Sequence, residues 1–256
     1  MRGRGVSPLA VSTIVCIVIF GGALFGVALR NLLPGHHLAD TAKDVVRLGT
    51  GLIATMAALV LGLLIASANT SFQTQSGQVT RVTADLILLD QLLAQYGPET
   101  RPVRERLRSA VEPLIERIWR EDRLSAATQS SFAASSEAET AFADIFALPA
   151  QTEAQRALKT RAIDVTNDIA RTRLLLFEQG GDPIPTPFLA VLVFWLAMIF
   201  ASFSLFSPLN STLIVALFVF ALSASGAIFL ILELGQPFDG LMQISSEPLR
   251  HALAPL

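Results

Sequence analysis

The chain has 256 residues, 52% hydrophobic and 16% charged, against about 25% charged in an ordinary soluble domain. A formal net charge of −2, with no basic run interleaved with aromatics, excludes nucleic-acid binding as the expected role. The single cysteine, Cys16, can form neither an intramolecular disulfide nor a thiolate metal site.

The charge deficit is concentrated in blocks. Val11 to Leu29, Leu48 to Thr80 and Pro183 to Leu232 contain no Asp, Glu, Lys or Arg, whereas thirteen of the nineteen Lys and Arg lie between Arg81 and Arg173. Two solvents are implied, lipid for the blocks and water for the charged middle. A hydrocarbon core of about 30 Å needs roughly 20 helical residues to cross it. That length predicts four spans, near Pro8–Leu29, Leu48–Ala68, Pro187–Phe206 and Thr212–Leu232. The expected fold class is therefore all-α: an integral membrane protein with four transmembrane helices and a helical soluble domain, residues 69–185, between the second and third.

The first stretch starts behind Arg2 and Arg4, as a secretory signal peptide also does. Its length and its ending in Arg30-Asn31-Leu32-Leu33-Pro34, without a small-x-small cleavage site, make it a retained span. In the second span Ala54, Ala58, Gly62 and Ala66 recur every four residues, a ladder that lets another helix approach closely. Two readings stand side by side. One is packing within a single subunit; the other sets this helix nearest the axis of an oligomer, where a hydrophobic constriction gates by dewetting. Gly22 and Gly26 repeat the pattern in the first span, and Ala221, Ser225 with Ser223, Ala227 in the fourth.

Arg30, His36, His37, Lys43 and Arg47 gather in the loop between the first two spans. As a ring at a pore mouth they favour anions; as interfacial anchors they only fix helix ends. The adjacent His pair lacks a third ligand, so no metal site and no cofactor are expected.

The second span reads on into the soluble region without interruption. Val79, Val82, Leu86, Leu89, Leu93 and Tyr96 alternate steps of three and four, the a/d seam of a packed helix, which Gly97-Pro98 ends. A further helix starts near Thr100 to Pro102, with Val103, Leu107, Val111, Leu114 and Ile118 buried and a kink at Pro113. Ser125 to Ser136 reads as a loop and Glu137 to Phe146 as a short helix. Thr152-Glu153-Ala154-Gln155 is a capping box opening a helix to Gln179, whose apolar stripe is Leu158, Ala162, Val165, Ile169, Thr172 and Leu176.

The third and fourth spans are joined by Ser207 to Ser211, where Pro208 stops one helix and Asn210 or Ser211 caps the next. Glu233, at the end of the fourth span, is the one acid touching the apolar blocks, and Arg81 or the amino-terminal arginines are its expected partners. Beyond it Gly235, Pro237 and Gly240 give turns, and Ser246-Glu247-Pro248 starts a short helix with Leu249, Ala252 and Leu253. This tail is expected to dock on the soluble domain or the membrane surface.

With four spans, both termini and the soluble domain share one side. That side carries Arg2, Arg4, Arg81, Arg171, Arg173 and Arg250 near span ends, against Arg30, Lys43 and Arg47 opposite, so the positive-inside rule assigns it to the cytoplasm. No nucleophile elbow, phosphate loop, H-E-x-x-H or intramembrane ionisable pair occurs, and no enzyme activity is expected.

The stretch Leu48 to Ala68, the segment Leu174 to Gln179, and the tail from Leu230 through Glu233, Pro237-Phe238 and Gly240 to Ser245-Ser246-Glu247-Pro248-Leu249-Arg250 closely resemble the bacterial bestrophin-like family of membrane proteins. The resemblance covers essentially the whole chain. Bestrophins proper are oligomeric anion channels with cytoplasmic termini, and their second membrane helix lines the pore neck. The resemblance therefore implies a homo-oligomeric channel for chloride or another small anion in a bacterial inner membrane. No acidic calcium-clasp cluster or aromatic neck set of that family has a counterpart in this chain. A non-conducting scaffold or stress sensor, whose cytoplasmic helices bind a partner, is the alternative. An ion-coupled transporter ranks third.

Overall fold

The computed structural model describes residues 7–32, 40–124, 136–178, 186–207 and 210–252. They form eight α-helices: α1 Pro8–Leu32, α2 Asp40–Tyr96, α3 Arg101–Leu124, α4 Ser136–Ala147, α5 Glu153–Glu178, α6 Thr186–Phe206, α7 Ser211–Leu234 and α8 Glu247–His251. A 3-10 turn, Pro98–Thr100, separates α2 from α3, and no strand occurs among the described residues. Of the loop expected over Ser125 to Ser136, residues 125–135 lie outside the described residues, as do His36, His37 and the amino-terminal arginines, and Ser136 opens α4.

The chain divides into two compact units, Met1–Ser71 with Asp182–Gly235 and Phe72–Gly181 with Gln236–Leu256. Among the described residues, four helices are long and apolar enough to cross a membrane: α1, α6, α7 and the apolar part of α2. All four contribute to the first unit. There α1 packs against α6 and α7, and the approach to α6 requires glycine. A Cβ on Gly22 would lie 2.7 Å from the Ala197 carbonyl oxygen, and one on Gly26 would lie 2.9 Å from the Ala201 carbonyl carbon. Absent side chains let the helices touch through their backbones, the means by which helices associate where lipid supplies no hydrophobic drive. Ile19, Leu192, Ala221, Ile228 and Ile231 complete this core.

The second unit has its own hydrophobic core. Val79, Val82, Leu86, Leu89, Leu93 and Tyr96 of α2 are all buried, alongside Val103, Leu107, Ile115 and Ile118 of α3 and Ala162, Val165, Ile169 and Leu176 of α5. Burial of each larger side chain contributes about 1.5–3 kcal/mol. On α3 it is Ile115, at 2% exposure, that fills the core where Leu114 was expected; Leu114 is half-buried, because the stripe on this helix takes Ala110 and Val111 together before stepping on by four. The helix continues through Pro113.

Gly97, at φ 143°, breaks α2 in a conformation closed to other residues. The capping box forms: the Gln155 amide donates to Thr152 Oγ1 at 3.1 Å, and the Thr152 amide donates to Gln155 Oε1 at 3.3 Å. Gln155 Nε2 donates onward to the Tyr96 carbonyl at 3.4 Å, so one side chain serves the start of α5 and the end of α2. The Tyr96 hydroxyl donates to the Pro149 carbonyl at 2.8 Å. Asn210 occupies the N-cap position of α7 by its backbone alone, without a side-chain cap bond.

Candidate functional site

Two features of the first unit stand out, one at the start of α2 and one along its length. The first turns of α2 and the last turn of α6 enclose a cavity of about 360 Å³. Lys43 and Arg47 supply its charge, Thr50 and Ser202 its hydroxyls, and Phe203 and Phe206 an apolar wall. Helical periodicity explains the grouping, since Lys43, Arg47, Thr50 and Ala54 are spaced by four, three and four and share one face. Arg30 joins the same end of the unit: its guanidinium donates to the main-chain carbonyl of Ser207, a residue that also lines the cavity. The three cations singled out from the sequence therefore meet at one end of the helical unit. The hydroxyls of Thr50 and Ser202 were not singled out, although the register of α2 pointed to Thr50.

The second feature is the ladder of small residues. Ala54 lines the cavity and is half-buried, whereas Ala58, Gly62 and Ala66 are exposed, and nothing lies within 4 Å of a Cβ built on Gly62. Packing within one subunit therefore accounts for Ala54 alone. The buried positions of this span are Thr50, Ala57, Leu64 and Ala68, on the side of the helix next to Ala54 and turned away from Ala58, Gly62 and Ala66. Gly51 and Thr55 extend the exposed small face toward the start of α2, and Asn69 continues it near the end of the unit.

The residues of the carboxy-terminal motif divide between the units. Glu233 is buried at the end of α7 in the first. Arg81, its expected partner, belongs to the second unit and lies 3.9 Å from Asp85 there. From Gln236 onward the tail belongs to the second unit, packed on α3. The Trp119 and Phe238 rings meet edge to face at 5.4 Å, and Trp119 Nε1 donates to the Ile244 carbonyl at 2.9 Å. Pro237 and Phe238 are buried, Gly240 turns the chain at φ 90°, and the Ile244 amide donates to the Pro237 carbonyl at 2.7 Å. Ser245 Oγ accepts from the Glu247 amide at 3.2 Å, whereas the Ser246 side chain makes no cap bond. Pro248 enters the first turn of α8, Leu249 is buried, and Arg250 lies 3.4 Å from Glu112. A second cavity, of about 300 Å³, lies between tail and α3, lined by Glu112, Glu116, Trp119, Phe238, Ser246 and Arg250. The tail is thus part of the helical core, docked as one of the two expected sites allowed.

A two-pronged ion pair of the second unit joins α3 to α2. Arg104 binds Asp90 through both carboxylate oxygens, at 2.8 and 2.7 Å, and holds its carboxyl below the usual carboxylate range. Burial pushes Asp85 the other way, against the pull of Arg81 and Arg161. Among the described residues no group of three His, Cys, Asp or Glu is placed to hold a metal ion.

A protein-family model described as the Bestrophin-like domain matches residues 17–249. No curated protein and no solved structure matches the chain.

Proposed function

The chain belongs to the bestrophin-like family, and from that premise we propose that it is a homo-oligomeric membrane channel for small anions, chloride foremost, with α2 nearest the axis. Its four apolar helices have at least 21 residues each, which at 1.5 Å per residue gives roughly 31 Å or more, enough to cross a hydrocarbon core. The observation that carries the reading is the uncovered face of α2. Ala58, Gly62 and Ala66 are exposed in the protomer, and such a face suits a second helix or a water-filled path better than lipid. The bulky exposed residues of the same helix, among them Leu59 at 76% and Leu63 at 68%, lie to one side of it and suit lipid or a neighbouring copy.

The path along Leu48 to Thr80 carries no charge, so conduction is passive and its gate is a hydrophobic constriction. Arg30, Lys43 and Arg47 give the mouth at the α1–α2 loop a positive potential, which raises the local concentration of anions. No catalytic step and no cofactor enter this reading. By the positive-inside rule the soluble helices and both termini face the cytoplasm, in a bacterial inner membrane.

The test is flux into liposomes containing the purified protein, chloride against potassium under imposed gradients, with Ala58→Trp beside the wild type. Selective chloride flux that disappears in a folded, still oligomeric Ala58→Trp protein is the expected result. No flux for either ion, across varied pH and calcium, sinks the channel and leaves a scaffold whose soluble helices bind a partner.

A further inference from the structure

The cavity between α2 and α6 combines two chemistries that a small anion does not use together. Lys43 and Arg47 border it on one side, and Phe203 and Phe206 on the other. We propose that it is a binding site for an acidic phospholipid, the lipid phosphate held between Lys43 and Arg47 and the start of the acyl chains lying over Phe203 and Phe206.

Depth supports this occupant. The uncharged run of α2 starts at Leu48, which sets the edge of the hydrocarbon. Arg47 is at that edge, and Lys43, four residues further, lies about 6 Å beyond it at 1.5 Å per residue. Both fall within the headgroup layer, which occupies roughly 5–7 Å on each side of the bilayer. Phe203 is 51% exposed, although a large aromatic side chain gains by being covered. At about 360 Å³ the cavity also falls in the range of ligand pockets. Thr50 and Ser202 add hydroxyl donors that suit phosphate oxygens. Arg30, tied to Ser207 on the cavity wall, adds a third cation beside the site. Free phosphate would leave the aromatic wall unused. A zwitterionic lipid would bring its own cation toward Lys43, Arg47 and Arg30, so the site selects net-negative headgroups.

The inference rests on membrane insertion but not on conduction, and flotation with liposomes tests insertion separately. The deciding experiment is native mass spectrometry of the full chain in detergent, offered equal amounts of phosphatidylglycerol and phosphatidylcholine. Each Lys or Arg beside an anionic lipid changes binding about fivefold. Lys43→Gln/Arg47→Gln is therefore expected to lose phosphatidylglycerol adducts by about 25-fold, while the charge-matched Arg101→Gln/Arg171→Gln keeps them. Millimolar inorganic phosphate should not displace the lipid. Equal retention of both lipids, adducts that survive in Lys43→Gln/Arg47→Gln, or displacement by inorganic phosphate would each overturn the proposal. If Lys43→Gln/Arg47→Gln does not fold, Ala54→Phe decides, since it fills the cavity and keeps both cations. Loss of the phosphatidylglycerol preference supports the site, and its retention refutes it.

Discussion

Arg30 and Ser207 are 177 residues apart, and the Arg30 guanidinium donates a hydrogen bond to the Ser207 main-chain carbonyl. The bond joins the last turn of α1 to the chain just beyond α6, where main-chain carbonyls lack partners within the helix and the helix dipole favours a cation. Arg30→Gln should lower stability in detergent by about 1–2 kcal/mol, and Arg30→Lys should recover part of it. Thermal unfolding followed by circular dichroism reads both, and an Arg30→Gln protein as stable as the wild type would remove this contact from the account.

Gly26 and Gly62 are both helix-interior glycines in small-residue ladders, yet their surroundings differ. A Cβ on Gly26 meets the Ala201 backbone at 2.9 Å, which cannot swing aside as a side chain could, while one on Gly62 meets nothing within 4 Å. Gly26→Ala should therefore cost about 1–3 kcal/mol by forcing α1 from α6. Gly62→Ala should leave the protomer as stable or slightly stabilised, by up to about 1 kcal/mol from helix propensity. A larger Gly62→Leu substitution is expected to spare protomer folding and shift the oligomer toward smaller species in analytical ultracentrifugation. An unchanged oligomer would show that this face of α2 is not an interface between copies.

The contrast between these glycines marks how far the sequence could be read. Uncharged runs located the apolar helices because lipid penalises every charge, and the a/d seam of Val79 to Tyr96 was legible because alternating steps of three and four keep residues on one side of a helix. The Thr152–Gln155 box depended only on local chemistry and appears as read. Which small-residue ladder faced inward was not legible. Residues spaced by four drift about 40° per step, and in a span where nearly every residue is apolar no contrast separates a buried side from an exposed one. The cavity between α2 and α6 was hidden for a related reason: it joins residues near 45 to residues near 205, and only the tertiary packing brings them together.

Phe238 anchors the carboxy-terminal tail through its edge-to-face contact with Trp119 and is 6% exposed. Phe238→Ala removes the ring and leaves a hole beside α3, at an expected cost of about 3–5 kcal/mol. The tail should then become sensitive to limited proteolysis after Gln236, and Trp119 emission should move to longer wavelength as water reaches the indole. A protease-resistant tail in the variant would mean that the Trp119–Ile244 hydrogen bond and the burial of Leu249 suffice to hold it.

Asp90 and Asp85, both half-buried on α2, should give opposite pH dependences. Arg104 holds the Asp90 carboxyl below its ordinary value, so its ionised form stabilises the fold at every pH above the usual carboxylate range. That contribution disappears as pH falls through the depressed folded value. Arg104→Gln should thus cost about 1–2 kcal/mol at pH 7, allowing for solvent screening of a half-exposed pair, with the deficit shrinking in strong acid. For Asp85 burial raises the value, and Asp168 adds to the effect, so the folded state holds that proton more tightly than the unfolded chain. Ionised Asp85 therefore costs stability above its folded value, and the cost is relieved as pH falls through that value toward the ordinary one. Asp85→Asn should be more stable than wild type at pH 7, with the advantage fading on acidification. Unfolding of the full chain in detergent between pH 3 and pH 7 compares the three proteins. Differences that stay constant across that window would rule out ionisation as their source.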